Sequence, residues 1–389
     1  MTQPPERPLR VLQVIQNLNY GGMERILADL VRNLDRRRFE SHVLTLQYQG
    51  RFAEGLEGYA TLHSCDPLPR WSLAWPATLA RQLRRIEPDV VHSHSGVWFK
   101  VSRAARMAGV PRIVHTVHGL PDSTALYARM MEGAAARRTD QVVAVSDPLA
   151  DFLEARITRG RAAVRVIRNG VDTDAFRPRP KRAELLATLG IPVDRPVIGS
   201  VGRLQPVKRY ADLLRAMAAL VAGSEDQPPV LLLVGDGQER EALDALVRQL
   251  GIVEHVRMPG WRDGVPDLLN LMDLFVLASE SEGTSVALLE AMASGCCPVV
   301  TAVGGNPDVL GPTLAHRLVP PAQPDALAAA LGAALGDRAA LARDRERARA
   351  RVVNAYSLRS MVEGYESAYA AGARRRTHAE AAERVGGAA

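Results

Sequence analysis

No apolar run among the 389 residues approaches the roughly 20 consecutive positions that a membrane-spanning helix requires. The opening Met1-Thr-Gln-Pro-Pro-Glu-Arg-Pro8 has no hydrophobic stretch of signal-peptide type, so the chain is expected in the cytoplasm. Cysteine is scarce. Cys65, Cys296 and the adjacent Cys297 have neither the count of a disulfide framework nor metal-ligand spacing, which leaves them as small buried hydrophobes. There is no Lys/Arg block interleaved with aromatics, no zinc-finger spacing and no RNA-binding signature, so nucleic acid is not an expected partner. The full G-x-G-x-x-G fingerprint is missing as well. Gly235-Asp-Gly237 lacks its third glycine, which argues against a nicotinamide enzyme.

What is present is ample apolar material: 47% hydrophobic residues against 24% charged, at a length that suits two domains of ordinary size. The net charge of +6 is unevenly spread. Residues 1–176 hold 24 Lys+Arg against 18 Asp+Glu and the remainder hold 25 of each, so the whole positive excess lies N-terminal. An anionic membrane surface or a phosphate-bearing acceptor fits that excess.

Short β-branched runs at 11–15, 41–46, 89–92, 112–115 and 141–145 alternate with helix-periodic segments at 23–34, 73–86 and 97–108. Alternation of this kind implies a parallel, doubly wound sheet. A Pro- and charge-rich stretch follows, and residues 177–196 are expected as a linker. The rhythm restarts with runs at 197–201, 230–234, 273–277 and 298–301, which predicts a second doubly wound domain over 197–355. One long Ala/Arg-rich helical region is expected over 322–351, a further helix over 356–371, and a frayed tail over 374–389.

Glu282-Gly-Thr-Ser-Val-Ala-Leu-Leu-Glu290 sets two carboxylates eight positions apart around the start of a predicted helix. One can accept hydrogen bonds from sugar hydroxyls and the other from a ribose diol, while the backbone N–H groups around Gly283, Thr284 and Ser285 face a diphosphate. A solvated helix face has the same pattern, so its companions matter. Arg203 and Lys208, in Gly202-Arg-Leu-Gln-Pro-Val-Lys208 after a strand, can bracket a diphosphate whose leaving oxygen gathers charge in the transition state. Gly21-Gly22 follows the first strand and opens a helix, where backbone lacking Cβ lets an anion approach. His118, beside Gly119 at a strand end, is placed to hydrogen-bond a sugar hydroxyl or a reacting oxygen. His92 and His94 are read as pointing to opposite faces of their strand, which argues against a metal site shared with His118. No metal ligand set is expected.

Taken in order, Gly21-Gly-Met-Glu, His118-Gly, Asn169-Gly-Val-Asp, Gly202-Arg…Lys208, Gly235-Asp-Gly, Glu282-Gly…Glu290 and Val303-Gly-Gly305 resemble the blocks of the retaining glycosyltransferases of the large GT4 family, with the GT-B fold of two Rossmann-like domains. The resemblance spans nearly the whole chain. It implies that the N-terminal domain (1–176, joined by the last helix) binds the acceptor and the C-terminal domain binds the nucleotide sugar, with reaction in the cleft between them. Arg203 and Lys208 are implied to clamp the diphosphate, Glu290 the ribose and Glu282 the transferred sugar. Gly22 is implied to approach the phosphates, Gly21, Gly235, Gly283, Thr284 and Ser285 to complete the donor site, and His118 to stand beside the reacting centre.

No metal or other cofactor is implied. A UDP-sugar donor and a glycan or lipid-linked acceptor of bacterial surface polysaccharide synthesis are. Arg209 stands where the family usually has Gly, Thr284-Ser285 replace an aromatic and a small residue, and Asp308 replaces Glu; these bear on the identity of the donor sugar. Asp172-Thr-Asp174 has the form of a metal-binding signature from a different sugar-transferase fold, but a turn after Asn169-Gly170 explains it. Two alternatives stay open: a sugar-nucleotide epimerase of the same fold and a catalytically silent sugar-nucleotide-binding protein. Trp71, Trp75, Arg81, Arg84 and Arg85, with Trp98-Phe-Lys100, Arg103 and Arg106, are a candidate basic aromatic surface for peripheral attachment to the inner face of the plasma membrane.

Overall fold

The computed structural model describes residues 7–19, 21–68, 75–119, 126–224 and 227–372. The expected tail over 374–389 and Trp71 lie outside them. The chain divides into two units: Met1–Arg168 with Arg359–Ala389, and Asn169–Leu358.

The first unit is built on strands β1 (Leu9–Asn17), β2 (Phe39–Tyr48), β3 (Thr61–Ser64), β4 (Val90–His94), β5 (Arg112–Val117), β6 (Gln141–Ala144) and β7 (Ala163–Val166). They pair in the order β3-β2-β1-β4-β5-β6-β7, and every pairing is parallel. The second unit repeats the plan with β8 (Val197–Val201), β9 (Val230–Val234), β10 (Val256–Gly260), β11 (Leu274–Leu277), β12 (Cys297–Thr301) and β13 (Leu318–Val319), ordered β10-β9-β8-β11-β12-β13 and again all parallel. In each unit the winding reverses at one place, between β1 and β4 and between β8 and β11. Ligands of such sheets bind outside the carboxyl ends of the strands at that switch point.

In the second unit β9 and β11 are continuous apolar runs, as expected of strands buried on both faces of the sheet. Along β9, Val230, Leu232 and Val234 enter one core with Leu288, Leu289 and Met292, while Leu231 and Leu233 enter the other with Leu213, Leu214 and Met217. Each such side chain contributes about 1.5–3 kcal/mol by leaving water.

The last helix, Leu358–Ala370, belongs to the first unit from Arg359 onward and buries Met361, Val362, Tyr365, Ala368 and Tyr369. Residues 177–196 pack in the second unit, with Leu186 and Ile191 in its core around the short helix Ala183–Thr188. The single helical region expected over 322–351 is two helices, Pro324–Gly336 and Arg338–Ala355. Asp337 breaks it by leaving helical geometry and accepting a hydrogen bond from the Ala340 amide at 2.9 Å, a capping role that Asp performs well. Among the described residues, no helix is long and apolar enough to cross a membrane.

Candidate functional site

In the second unit the loops that leave β8, β9, β11 and β12 at their carboxyl ends are knitted together by backbone contacts. The Leu204 amide donates to the Asp236 carbonyl at 2.9 Å, Glu280 to Val207 at 2.9 Å and Gly305 to Gly283 at 3.1 Å. Two glycines make this approach feasible. Gly235 has φ +139° and a Cβ there would collide with the Gly202 carbonyl oxygen; Gly304 has φ +52° and a Cβ would strike the Glu282 carbonyl oxygen.

On this base Lys208 and Glu282 meet. Lys208 ends a single 3₁₀ turn, Pro206–Lys208, and its Nζ donates to Glu282 Oε1 at 2.6 Å. Ser279 Oγ donates to the same oxygen, also at 2.6 Å. The Glu282 side chain is only 9% exposed, so the pair is poorly screened and the carboxylate is held in one orientation. Ser285 N-caps the helix Val286–Ala293 by accepting from the Leu288 amide at 3.4 Å, and Thr284 and Ser285 are both buried. Glu290 lies inside that helix and is buried. Arg203 is exposed and, among the described residues, makes no ion pair. Arg209 adopts φ +49°, a left-handed conformation held by Asp212 at 2.6 Å and by Glu280 at 3.5 Å.

In the first unit, Gly21 precedes the helix Gly22–Asn33 in extended conformation. A Cβ at Gly21 would meet the movable carboxylate of Glu24, so packing does not demand glycine there. His118 follows β5, and its backbone amide donates to Ser95 Oγ at 3.1 Å. The expectation that His92 and His94 point to opposite faces is wrong. Residues two apart on a strand share a face, and the two rings stand 4.2 Å apart. His94 Nδ1 is 3.0 Å from His118 Nε2 and His94 Nε2 is 3.0 Å from Gln13 Oε1. Burial lowers the pKa of His118 to about 4 and that of His92 to about 3, and holds His94 and His115 well below the ordinary value, so these rings are neutral near pH 7.

Packing places several further residues. Trp98 is core, stacked on His115 with ring centroids 4.3 Å apart and donating to Thr139 Oγ1 at 2.8 Å, so it is not part of a membrane-facing surface. Trp75 is 55% exposed. Cys296 and Cys297 are buried as expected, whereas Cys65 is half-buried. Asp172 Oδ1 accepts from the amides of Asp174 and Ala175, both at 3.0 Å, which makes the segment a turn. Among the described residues, no three His, Cys, Asp or Glu side chains cluster as a metal site.

Ser279, Gln13 and Tyr369 escaped sequence reading, because nothing near them in the chain signals their contacts. In the sequence Asn169 is only one member of the Asn169-Gly-Val-Asp block. Its Nδ2 donates to the Thr284 carbonyl at 3.3 Å, tying the start of the second unit to the turn beside Glu282.

Two doubly wound parallel sheets, one with a cation–carboxylate pair at its switch-point loops, are the architecture of the GT-B fold. Comparison with known proteins sharpens this. Residues 181–351 match the family described as Glycosyl transferases group 1, and residues 20–175 match Glycosyltransferase Family 4. The chain is 30% identical over 350 residues to 2-deoxystreptamine N-acetyl-D-glucosaminyltransferase of Streptomyces fradiae, covering 82% of this chain and 83% of that protein. It is 30% identical over 238 residues to UDP-Gal:alpha-D-GlcNAc-diphosphoundecaprenol alpha-1,3-galactosyltransferase of Escherichia coli, with coverage of 59% and 62% respectively. Among solved structures, Anabaena Alr3699/HepE in complex with UDP-glucose shares the fold, with a TM-score of 0.80 and 22% identity over 93% of this chain and all of that one. The chain therefore belongs to glycosyltransferase family 4 and is an enzyme that transfers glycosyl groups. The epimerase alternative has no support beside this membership.

Proposed function

We propose that the protein is a retaining, metal-independent glycosyltransferase that moves a sugar from a UDP-sugar to a glycan or lipid-linked acceptor in bacterial surface polysaccharide synthesis. The observation that carries the proposal is the Lys208–Glu282 pair at the carboxyl ends of β8 and β11. A cation fixed there meets the charge that gathers on a departing diphosphate, and a carboxylate oriented by Ser279 accepts hydrogen bonds from hydroxyls of the transferred sugar. Arg203 assists Lys208, while Gly235, Gly283, Thr284 and Ser285 leave backbone N–H groups near the phosphates and Glu290 takes the ribose. In the first unit His118 binds the acceptor hydroxyl and Gly21-Gly22 serves the phosphates. With fixed cations in this role, a divalent ion has no task left to perform.

A UDP donor is supported by the Escherichia coli relative, whose name specifies UDP-Gal, and by the Anabaena structure with UDP-glucose. Retention is supported by two relatives whose names record α-configured sugars, the second being N-acetyl-alpha-D-glucosaminyl L-malate synthase of Bacillus anthracis. The diphosphoundecaprenol substrate of the former supports a lipid-linked acceptor.

A panel of UDP-, GDP- and ADP-sugars with polyol, glycan and lipid-diphosphate acceptors, run in excess EDTA, tests the proposal. An α-linked product from a UDP-sugar is expected. A β-linked product, a requirement for Mg²⁺, or no product from any pair would overturn it. Exposed Trp75 with Arg81, Arg84 and Arg85 is the remaining candidate for contact with anionic lipid, and failure to sediment with anionic liposomes at low salt would end that part.

A further inference from the structure

A continuous hydrogen-bonded chain of side chains runs beneath His118 inside the first unit. Gln13 Nε2 donates to the Tyr369 hydroxyl at 3.0 Å, while Gln13 Oε1 faces His94 Nε2. His94 Nδ1 faces His118 Nε2. From Tyr369 the chain continues the other way, through His92 Nδ1 at 2.7 Å and from His92 Nε2 to Thr116 Oγ1 at 2.7 Å. Gln13, His92, His94 and Tyr369 are all buried, which confines their hydrogen bonds to one another and their packed neighbours.

The chemistry of the members sets a direction. A carbonyl oxygen only accepts, so His94 Nε2 carries the proton that faces Gln13. A neutral imidazole has one donor and one acceptor nitrogen, so His94 Nδ1 is bare and His118 Nε2 must carry the proton between them. The second nitrogen of His118, Nδ1, is then a lone pair, and among the described residues nothing hydrogen-bonds to it. Gln13 is the pivot. Turning its amide over would reverse each bond in the chain and make Nδ1 a donor.

We propose that Gln13, His94 and Tyr369 are positioning residues that lock His118 in its Nε2–H tautomer, so that Nδ1 presents a lone pair to a hydroxyl of the sugar acceptor. This rests on the assignment of His118 to the acceptor, and it gives the helix Leu358–Ala370 a part in that assignment through Tyr369. The lock explains why four polar side chains occupy a core where aliphatic ones would pack without hydrogen-bond constraints. The hydroxyl proton moves toward Nδ1 only as a hydrogen bond, so the lock requires no change in charge within the buried chain.

The test is a ¹⁵N spectrum of the full-length enzyme labelled at histidine, with His118→Ala identifying the His118 signals, because protonated and bare ring nitrogens resonate far apart. Wild type is expected to show His118 with Nε2 protonated and Nδ1 bare. Gln13→Met and Tyr369→Phe, each checked for folding by its thermal transition, are expected to give a tautomer mixture. Each is also expected to lower kcat at least tenfold with the donor KM unchanged, and Gln13→Met combined with His118→Ala to be no slower than His118→Ala alone. A protonated Nδ1 or a mixture in wild type, or an unchanged spectrum in both variants, would overturn the lock. Full activity of His118→Ala would instead overturn the acceptor assignment and leave the spectrum to decide the lock.

Discussion

Lys208 and Glu282, 74 positions apart in the chain, meet at 2.6 Å where the loops after β8 and β11 converge. The lysine proposed to hold the diphosphate is thus paired with the carboxylate proposed to hold the sugar. Lys208→Ala is expected to lower kcat/KM about 10²–10³-fold, the usual loss when one fixed stabilising group is removed. It leaves Glu282 with Ser279 as its remaining hydrogen-bond donor among the described residues, at a stability cost of about 1–3 kcal/mol. Arg203→Ala removes an exposed side chain with no ion pair among the described residues, so stability should change by less than about 0.5 kcal/mol while activity falls. Kinetics and melting curves on both variants check this; full activity in either would remove that residue from the phosphate site.

Close approach of the loops makes Gly235 a structural requirement. Gly235→Ala combines φ +139° with a collision against the Gly202 carbonyl, and a loss of about 3 kcal/mol is expected. Gly336→Ala, where a Cβ meets nothing within 4 Å, is the control and should be neutral or slightly stabilising. Urea unfolding of the two variants distinguishes collision from a general intolerance of alanine.

At Arg209 the backbone is left-handed, and two acidic side chains hold the guanidinium. Arg209→Gly should be more stable than Arg209→Ala by about 1 kcal/mol, because both lose the ion pairs and only alanine keeps the strain. Equal stabilities would mean that the conformation relaxes when the side chain is cut back.

The buried histidines make the first unit acid-sensitive. His118 titrates near 4 and His92 near 3 in the fold, against about 6.5 in an unfolded chain. Between those values the unfolded state binds protons that the folded state refuses. Stability is therefore intact above pH 6.5 and is lost as pH falls toward 4. Melting temperature should drop steeply across that window, and His94→Gln, which removes one such group, should flatten the slope.

Strand β9 is legible at its observed limits because it is apolar without interruption, as burial on both faces demands, and β8 is legible although Gly199 and the buried Ser200 interrupt it. Edge strands β3 and β7 are not, since water on one side lets polar residues interrupt the run; Thr61 and Ser64 of β3 are exposed. Ala-rich sequence on both sides of Asp337 hides the helix break, which depends on one capping side chain. Lys208, Glu282 and Ser285 are legible by chemical type and stand within one cluster of loops. Gln13 and Tyr369 are not legible, because their hydrogen bond spans 356 positions and neither sits in a local pattern. His92 and His94 were legible and misread: the period of two places them together.

Calorimetric titration of UDP in excess EDTA, into wild type and into Lys208→Ala, probes the phosphate site without needing the acceptor. Wild type should bind UDP without a metal ion, and Lys208→Ala at least tenfold more weakly. Equal affinities in the two proteins, or binding that appears only when Mg²⁺ is restored, would contradict a donor site built on fixed positive charge.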